Sequence, residues 1–424
     1  MHNNSHITAH HSPWSWVPSL YFTEGLPYVA IMTVSVIMYK RLGLSNTETA
    51  FYTSWLYLPW IIKPLWSPFV DIIRTKRFWI ITMQSLIAVG FAGIALFIPS
   101  SKAIQITLMF FWLLAFGSAT HDIAADGFYM LSLSIREQSF FVGIRNTFYR
   151  LATIVGQGLL IMLAGWLEKA QHNIPLAWSM SFAVLAGLFI GITLYHHFIL
   201  PHPETCKTLE LKSPHKLLKN FAQAFVTFFK KPQIGLVLFF LLTYRLGEAQ
   251  LVKLTSPFLL DSVTKGGLGL STVSVGMIYG TIGVICLLIG GIGSGILVSH
   301  GGLRKWLLPM ALAMNLPDLL YVWLSLAQPN HTWMVVACVA IEQLGYGFGF
   351  TAYTLYLIRI AQNPYKTAHY AIGTGFMALG MMIPGIPSGW IQERIGYPLF
   401  FIWVCLCTLP GIAAALIIKK KELS

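Results

Sequence analysis

The chain has 424 residues, of which 56% are hydrophobic and 10% charged, with a mean hydropathy of +0.67 and a formal net charge of +13. Soluble domains carry about a quarter charged residues, so this composition excludes a water-soluble fold. The positive charge does not mark a nucleic-acid binder, because most Lys and Arg fall in short breaks between apolar runs.

Apolar runs long enough to cross a bilayer, roughly 20 residues each, are expected near 14–39, 46–70, 78–99, 104–132, 139–166 and 175–199, then near 233–260, 272–299, 304–327, 332–359, 367–391 and 396–418. In hydrocarbon every backbone N–H and C=O needs an internal partner, which leaves helices or a closed barrel. The runs are continuous and lack the alternation of barrel strands, which selects helices. The expected fold is therefore an all-α membrane protein with twelve transmembrane helices in two six-helix bundles, 14–200 and 233–418. A tail (1–13), a cytoplasmic linker (201–232) with Pro201, Pro203 and Pro214, and a second tail (419–424) complete it. Within the linker, 217–229 is amphipathic enough to lie along lipid headgroups or to be solvated.

On one side of these spans the cations are sparse: Lys40, Arg41, Lys102, Lys169, Lys265 and Arg394. The other side holds the tails, the linker and the basic turns at Arg74 to Arg77 and at Arg304 and Lys305. The positive-inside rule places that side, and both termini, in the cytoplasm. No cleavable leader is expected ahead of Trp14, so the first span serves as the insertion signal. The five cysteines contain no Cys-x-x-Cys pair, which argues against a disulfide framework. His2, His6, His10 and His11 read either as a metal-binding tract or as a short disordered tail, and the tail is the expectation. No Gly-x-x-x-x-Gly-Lys-Ser/Thr loop, His-Glu-x-x-His string or clustered nucleophile occurs, so neither an ATP-driven pump nor an enzyme is expected, and no cofactor or metal is called for.

The halves echo one another. Gly43-Leu44-Ser45 follows the first span, and Gly269-Leu270-Ser271 follows the seventh. Internal repeats of this kind typify secondary transporters.

Ionisable side chains at membrane depth cost several kcal/mol unless paired or hydrated, so each is a functional candidate. Glu24 lies near the midplane in Thr23-Glu24-Gly25-Leu26-Pro27, where Gly and Pro loosen the helix. Span four carries His121, Asp122 and Asp126, the two aspartates one turn apart; span five returns with Arg145 and Arg150. Counting from the span ends sets Asp126 level with Arg145 and Asp122 level with Arg150, which predicts two stacked ion pairs. The second half carries Arg245, Glu248 and Lys253 in span seven and Glu342 in span ten. Arg150, Arg245 and Lys253 suit a carboxylate or phosphate cargo, with Tyr28 and Tyr149 beside them to stack on sugar rings. Glu24, Asp122, Asp126, Glu248 and Glu342 are the expected proton-coupling carboxyls. Lys63, in Lys63-Pro64-Leu65-Trp66-Ser67-Pro68-Phe69-Val70-Asp71, begins a bent helix end that reads either as a gate hinge or as a snorkelling lysine; Lys63, Asp71 and Arg145 are the expected gate and structural residues.

Gly25-Leu26-Pro27, the string Lys63-x-Leu65-Trp66-x-Pro68-x-x-Asp71 and Asp122-Ile123-Ala124-x-Asp126-Gly127 together resemble the AmpG-like muropeptide permeases of the major facilitator superfamily. Acetyl-coenzyme A transporters and some siderophore importers are similar at the same places. The resemblance implies alternating access between two bundles and proton-driven import of anhydromuropeptides, anionic sugar-peptides of peptidoglycan recycling, through the bacterial inner membrane. A siderophore or acyl-coenzyme A carrier is the alternative. The expected partners are a small-molecule substrate, protons and the lipid bilayer, with no nucleic acid, and the chain is expected to act as a monomer.

Overall fold

The computed structural model describes residues 12–202, 214–361 and 365–421, without the side chains of 71, 72 and 214–221. The N-terminal histidines and the Asp71 carboxyl thus lie outside the described residues. Among those described there is no strand.

The helices in chain order are α1 (Pro13–Arg41), α2 (Asn46–Trp55), α3 (Leu58–Ile72), α4 (Lys76–Phe97), α5 (Ala103–Ser132), α6 (Ile135–Gln171), α7 (Ile174–Ile199), α8 (Pro214–Phe229), α9 (Ile234–Leu260), α10 (Thr272–Ala327), α11 (Thr332–Ile360) and α12 (Lys366–Lys421). Nine stretches among the described residues are long and apolar enough to cross a membrane. Two of them, α10 and α12, run to 56 residues and turn at glycines with positive φ, Gly302 (71°) and Gly396 (76°). Before Gly302, Leu287 and Ser294 meet Gly347 and Thr351 of α11 in parallel order; after it, Met310 and Ala313 meet Gly349 and Gly345 in reversed order. Helix α10 therefore doubles back. The same holds for α12, whose Gly380 and Gly385 follow α9 upward from Leu241 to Lys253, while Phe401 and Gly411 retrace it from Phe258 to Thr243.

Polar starts recur where the apolar runs begin. Ser45 and Glu48 form a reciprocal cap on α2, with Ser45 Oγ accepting from Glu48 N at 3.1 Å and Glu48 Oε2 from Ser45 N at 3.0 Å. Ser271 caps α10, accepting from Ser274 N at 3.2 Å. Gly43 and Gly269 both take positive φ, so the two Gly-Leu-Ser turns share a structure as well as a sequence. Large apolar side chains are exposed along the long helices, among them Leu96, Met109, Phe198, Leu326 and Trp333, as a lipid-facing surface requires.

The halves meet along two seams. In one, α2 and α3 run antiparallel to the first arm of α12, with Asn46 against Gly389, Ser54 against Gly385 and Ile61 against Gly375. In the other, α6 packs on α10 where each contains a π-helical turn, Ile154–Leu160 and Gly276–Gly283. A Cβ on Gly280 would collide with the Gln157 carbonyl, so backbone meets backbone there. The amphipathic helix α8 packs on α12, with Phe228 stacked on Phe376, and also touches α3.

Candidate functional site

Hydrogen bonds and ion pairs joining the halves gather at the end that carries the Gly-Leu-Ser turns. Lys40 Nζ lies 2.8 Å from Asp261 Oδ1. Asn46 Nδ2 donates to Gln392 Oε1 (2.6 Å), Tyr397 Oη (2.9 Å) and Asp261 Oδ2 (3.3 Å), and Thr47 donates to Glu393. On the second seam Glu168 is gripped by Arg41 (3.0 Å) and accepts from Thr272 Oγ1 (2.7 Å). At the opposite, linker end the Asp126 side chain is 44% exposed on α5, and Asn146 and Thr147 of α6 are exposed.

Between these ends lies a set of charged side chains that is half-buried at Asp126 and Arg145, toward the linker, and more deeply buried beyond them. In the first half, Arg145 Nη2 pairs with Asp126 Oδ1 at 2.9 Å, as the level counting predicts. The guanidinium also lies over the Tyr21 ring, 4.3 Å from its centroid, and Tyr21 Oη donates to Asp126 at 3.3 Å. Asp122 does not pair with Arg150. Its partner is Lys63 of α3. The break between α2 and α3 brings Lys63 to α5, so the double-proline stretch delivers a cation to Asp122 rather than sending it out to the headgroups. Glu24 is 8% exposed, lies beside Asp122 and leaves Oε2 without a hydrogen-bond partner. Three carboxyls (Glu24, Asp122 and Asp126) thus face two cations (Lys63 and Arg145).

A second layer holds these positions. Gln84 of α4 donates to Thr23 Oγ1 (3.1 Å) and to His121 Nε2 (3.0 Å) and accepts from His196 Nδ1 (2.9 Å); Ser19 bonds the far nitrogen of His196 at 2.8 Å. Thr23 and His121 directly precede Glu24 and Asp122, so one amide sets the spacing of two acidic neighbours.

In the second half, α9 is interrupted at Tyr244 and Arg245, between Ile234–Thr243 and Leu246–Leu260. Arg245 Nη2 donates to Tyr346 Oη at 2.5 Å, and the guanidinium sits over the Tyr346 and Phe350 rings. Its Nε is buried without a partner. From the first half, Arg150 comes within electrostatic reach of Tyr28, Tyr149 and Tyr346, and Arg245 reaches Tyr28, Tyr57 and Tyr346. Tyr28 and Tyr346 thus lie within electrostatic reach of one guanidinium from each half, and Arg245 is the one that hydrogen-bonds Tyr346. Tyr28 is held edge-on against Trp60, 5.2 Å between centroids. Among the described residues Arg150 has no ion-pair partner.

Lys253 is placed apart from this pair. Its ammonium donates to Thr53 Oγ1 at 3.0 Å and lies over Tyr57, in the seam between α9 and α2. Glu342 accepts from Tyr321 Oη (3.2 Å) and Gln343 Nε2 (3.0 Å), and Glu248 faces Arg245. Tyr57, Tyr346, Gln84 and Asp318 are additions to the sequence-derived set. Asp318, an acid inside an apolar run, could have been found by the rule that picked out Glu24; the others carry no such signal, since tyrosine and glutamine are ordinary in helix packing.

Comparison with known proteins agrees with this architecture. The anhydromuropeptide permease of Escherichia coli (strain K12) is 25% identical over 412 residues, covering 94% of this chain and 78% of the permease. The putative transporter AmpG 4 of Rickettsia conorii (strain ATCC VR-613 / Malish 7) is 24% identical over 413 residues, 94% of each chain. In fold, the chain is similar to a crystal structure of D-xylose-proton symporter (TM-score 0.72, 12% identity, 96% of this chain and 97% of that one). It is also similar to one of nucleoside transporter NupG (TM-score 0.68, 14% identity, 96% and 98%). The family model described as Major Facilitator Superfamily matches residues 19–383, and with it the chain belongs to that superfamily, as a multi-pass membrane transporter of small molecules.

Proposed function

We propose that this transporter imports an anionic sugar-peptide of the anhydromuropeptide type, coupled to protons, by alternating access between two six-helix bundles that cross the membrane twelve times. Arg245 on Tyr346, with Arg150 of the other half within electrostatic reach of Tyr28 and Tyr346, carries the proposal. A guanidinium fork binds carboxylate in two parallel hydrogen bonds, and tyrosine rings supply flat apolar faces with a polar edge for a sugar. Similarity to the anhydromuropeptide permease supports this cargo class. The polar closure at the Gly-Leu-Ser end and the exposed Asp126 at the other support a conformation open toward the linker. With the linker cytoplasmic, as the basic residues favour, that is the inward side of a bacterial inner membrane. The Glu24 oxygen left without a partner, beside Asp122 at membrane depth, supports a part in proton coupling, since an ionisable group there is a candidate proton carrier.

Proteoliposomes loaded with the purified chain test this. Uptake of labelled anhydromuropeptide is expected to rise when an inward proton gradient is imposed and to collapse with a protonophore. Gradient-independent uptake would remove the coupling, and uptake of a siderophore or acyl-coenzyme A in place of the muropeptide would reassign the cargo.

A further inference from the structure

Asp318 sits in the short turn Leu316–Asp318 of α10, only 1% exposed, and neither of its carboxyl oxygens has a hydrogen-bond partner among the described residues. Its Oδ2 lies 3.6 Å from where a Cβ on Gly247 would stand, beside Thr408 and Val404 of α12. The carboxyl therefore occupies the notch that Gly247 leaves on α9, just past its interruption. Two further acids lie within electrostatic reach, Glu248 (2% exposed, Oε1 without a partner) and Glu342. The groups facing this cluster are Arg245 and Glu248 from α9, Tyr279 and Tyr321 from α10, Glu342 and Tyr346 from α11, Cys405 from α12 and Tyr57 from α2/α3.

Against three carboxyls the cluster offers one guanidinium, since Lys253 is engaged with Thr53. A carboxylate taken out of water with neither donor nor cation costs several kcal/mol, so the cluster cannot hold three negative charges. Glu342 keeps two donors, Tyr321 and Gln343, and Glu248 faces Arg245. Asp318 has neither. A single proton on Asp318 removes the uncompensated charge without needing any further ligand.

We infer that Asp318 is a resident proton-binding site of the second half, occupied without cargo and separate from the Glu24–Asp122 pair of the first. The proton forms an O–H bond on the Asp318 carboxyl; on release it passes to water and leaves a carboxylate in the α9 notch, facing Glu248. Release is therefore opposed until the notch hydrates or Glu248 is itself protonated, which links this site to the state of the arginine centre. The assignment of its use in transport rests on the proton-coupled function proposed above, but its occupancy does not.

Infrared spectroscopy of the full chain in lipid nanodiscs, without cargo, tests the occupancy. At neutral pH a carboxylic acid C=O band is expected that persists in Glu24→Gln and loses intensity in Asp318→Asn. An unchanged band in Asp318→Asn overturns the inference. So does loss of the wild-type band on adding sodium together with stoichiometric binding of radiolabelled sodium, which would make the ligand that ion. If Asp318→Asn does not fold, Asp318→Glu decides the matter: the band must shift, and an unshifted band overturns the assignment. In proteoliposomes Asp318→Asn is expected to lower gradient-driven accumulation about tenfold while cargo counterflow continues. A band that depends on Asp318 in a wild-type chain whose uptake ignores the proton gradient would leave the site standing and remove the coupling.

Discussion

Lys40 Nζ and Asp261 Oδ1, 2.8 Å apart, tie the end of α1 to the end of α9 across the two halves. Both side chains are mostly buried, and Asn46 and Tyr397 also hold the aspartate. Removing one member of a buried ion pair leaves the other uncompensated, at a cost of about 3 kcal/mol. Lys40→Gln and Asp261→Asn are each expected to open this end, read as faster labelling of a cysteine placed at Ser45. The exchanged pair Lys40→Asp with Asp261→Lys is expected to recover most of the wild-type rate. Wild-type labelling in both single variants would deny the pair any part in closure.

Arg245→Gln and Arg150→Gln each remove a charged hydrogen-bonding group from the shared tyrosine centre. A loss of about 2 kcal/mol corresponds to roughly thirtyfold weaker half-saturation for an anionic cargo. Arg245→Lys is expected to recover little, because a point charge cannot reproduce the two-pronged contact. Uptake kinetics over a concentration series check this, with equal damage toward a neutral analogue as the outcome that contradicts anion recognition.

Glu24→Gln keeps the size of the side chain and removes its capacity to change charge. Accumulation against a gradient is expected to fall at least tenfold while exchange of internal for external cargo survives. Loss of both activities together would indicate damage to the cavity rather than to coupling.

Gln84→Leu strips partners from Thr23, His121 and His196 inside the first half. Unpaired buried groups cost about 1–3 kcal/mol each, and the melting temperature is expected to drop by roughly 5 °C. Thermal unfolding in detergent measures it.

Gly280→Ala places a methyl group against the Gln157 carbonyl. The expected result is a folded, inserted protein with strongly reduced uptake, since the added atom must separate α6 from α10 at a cost of about 1–3 kcal/mol. Normal transport would show that the seam tolerates a wider gap.

The long helices were legible because a bilayer sets a length and an apolar character that can be counted along the chain, and the paired Gly-Leu-Ser turns marked the same step in each half. Depth was legible too: Asp126 and Arg145 meet where counting from the span ends puts them. Lateral position was not. Lys63 displaced Arg150 as the partner of Asp122 because the helix of the second span breaks after Trp55 and resumes at Leu58, changing the direction its later side chains take. Lys253 has the depth of a cavity residue but faces Thr53, a matter of rotation about α9 that an apolar sequence on every side does not encode.

The contact of Gly158, Gly276 and Gly280 across α6 and α10 has a mechanical meaning. Interlocked side chains resist sliding, because each must leave one rotamer well before it enters the next. Bare main chain against main chain has no such teeth. At the depth where both helices carry a π-helical turn, the halves meet through a smooth bearing, able to roll while keeping a constant separation.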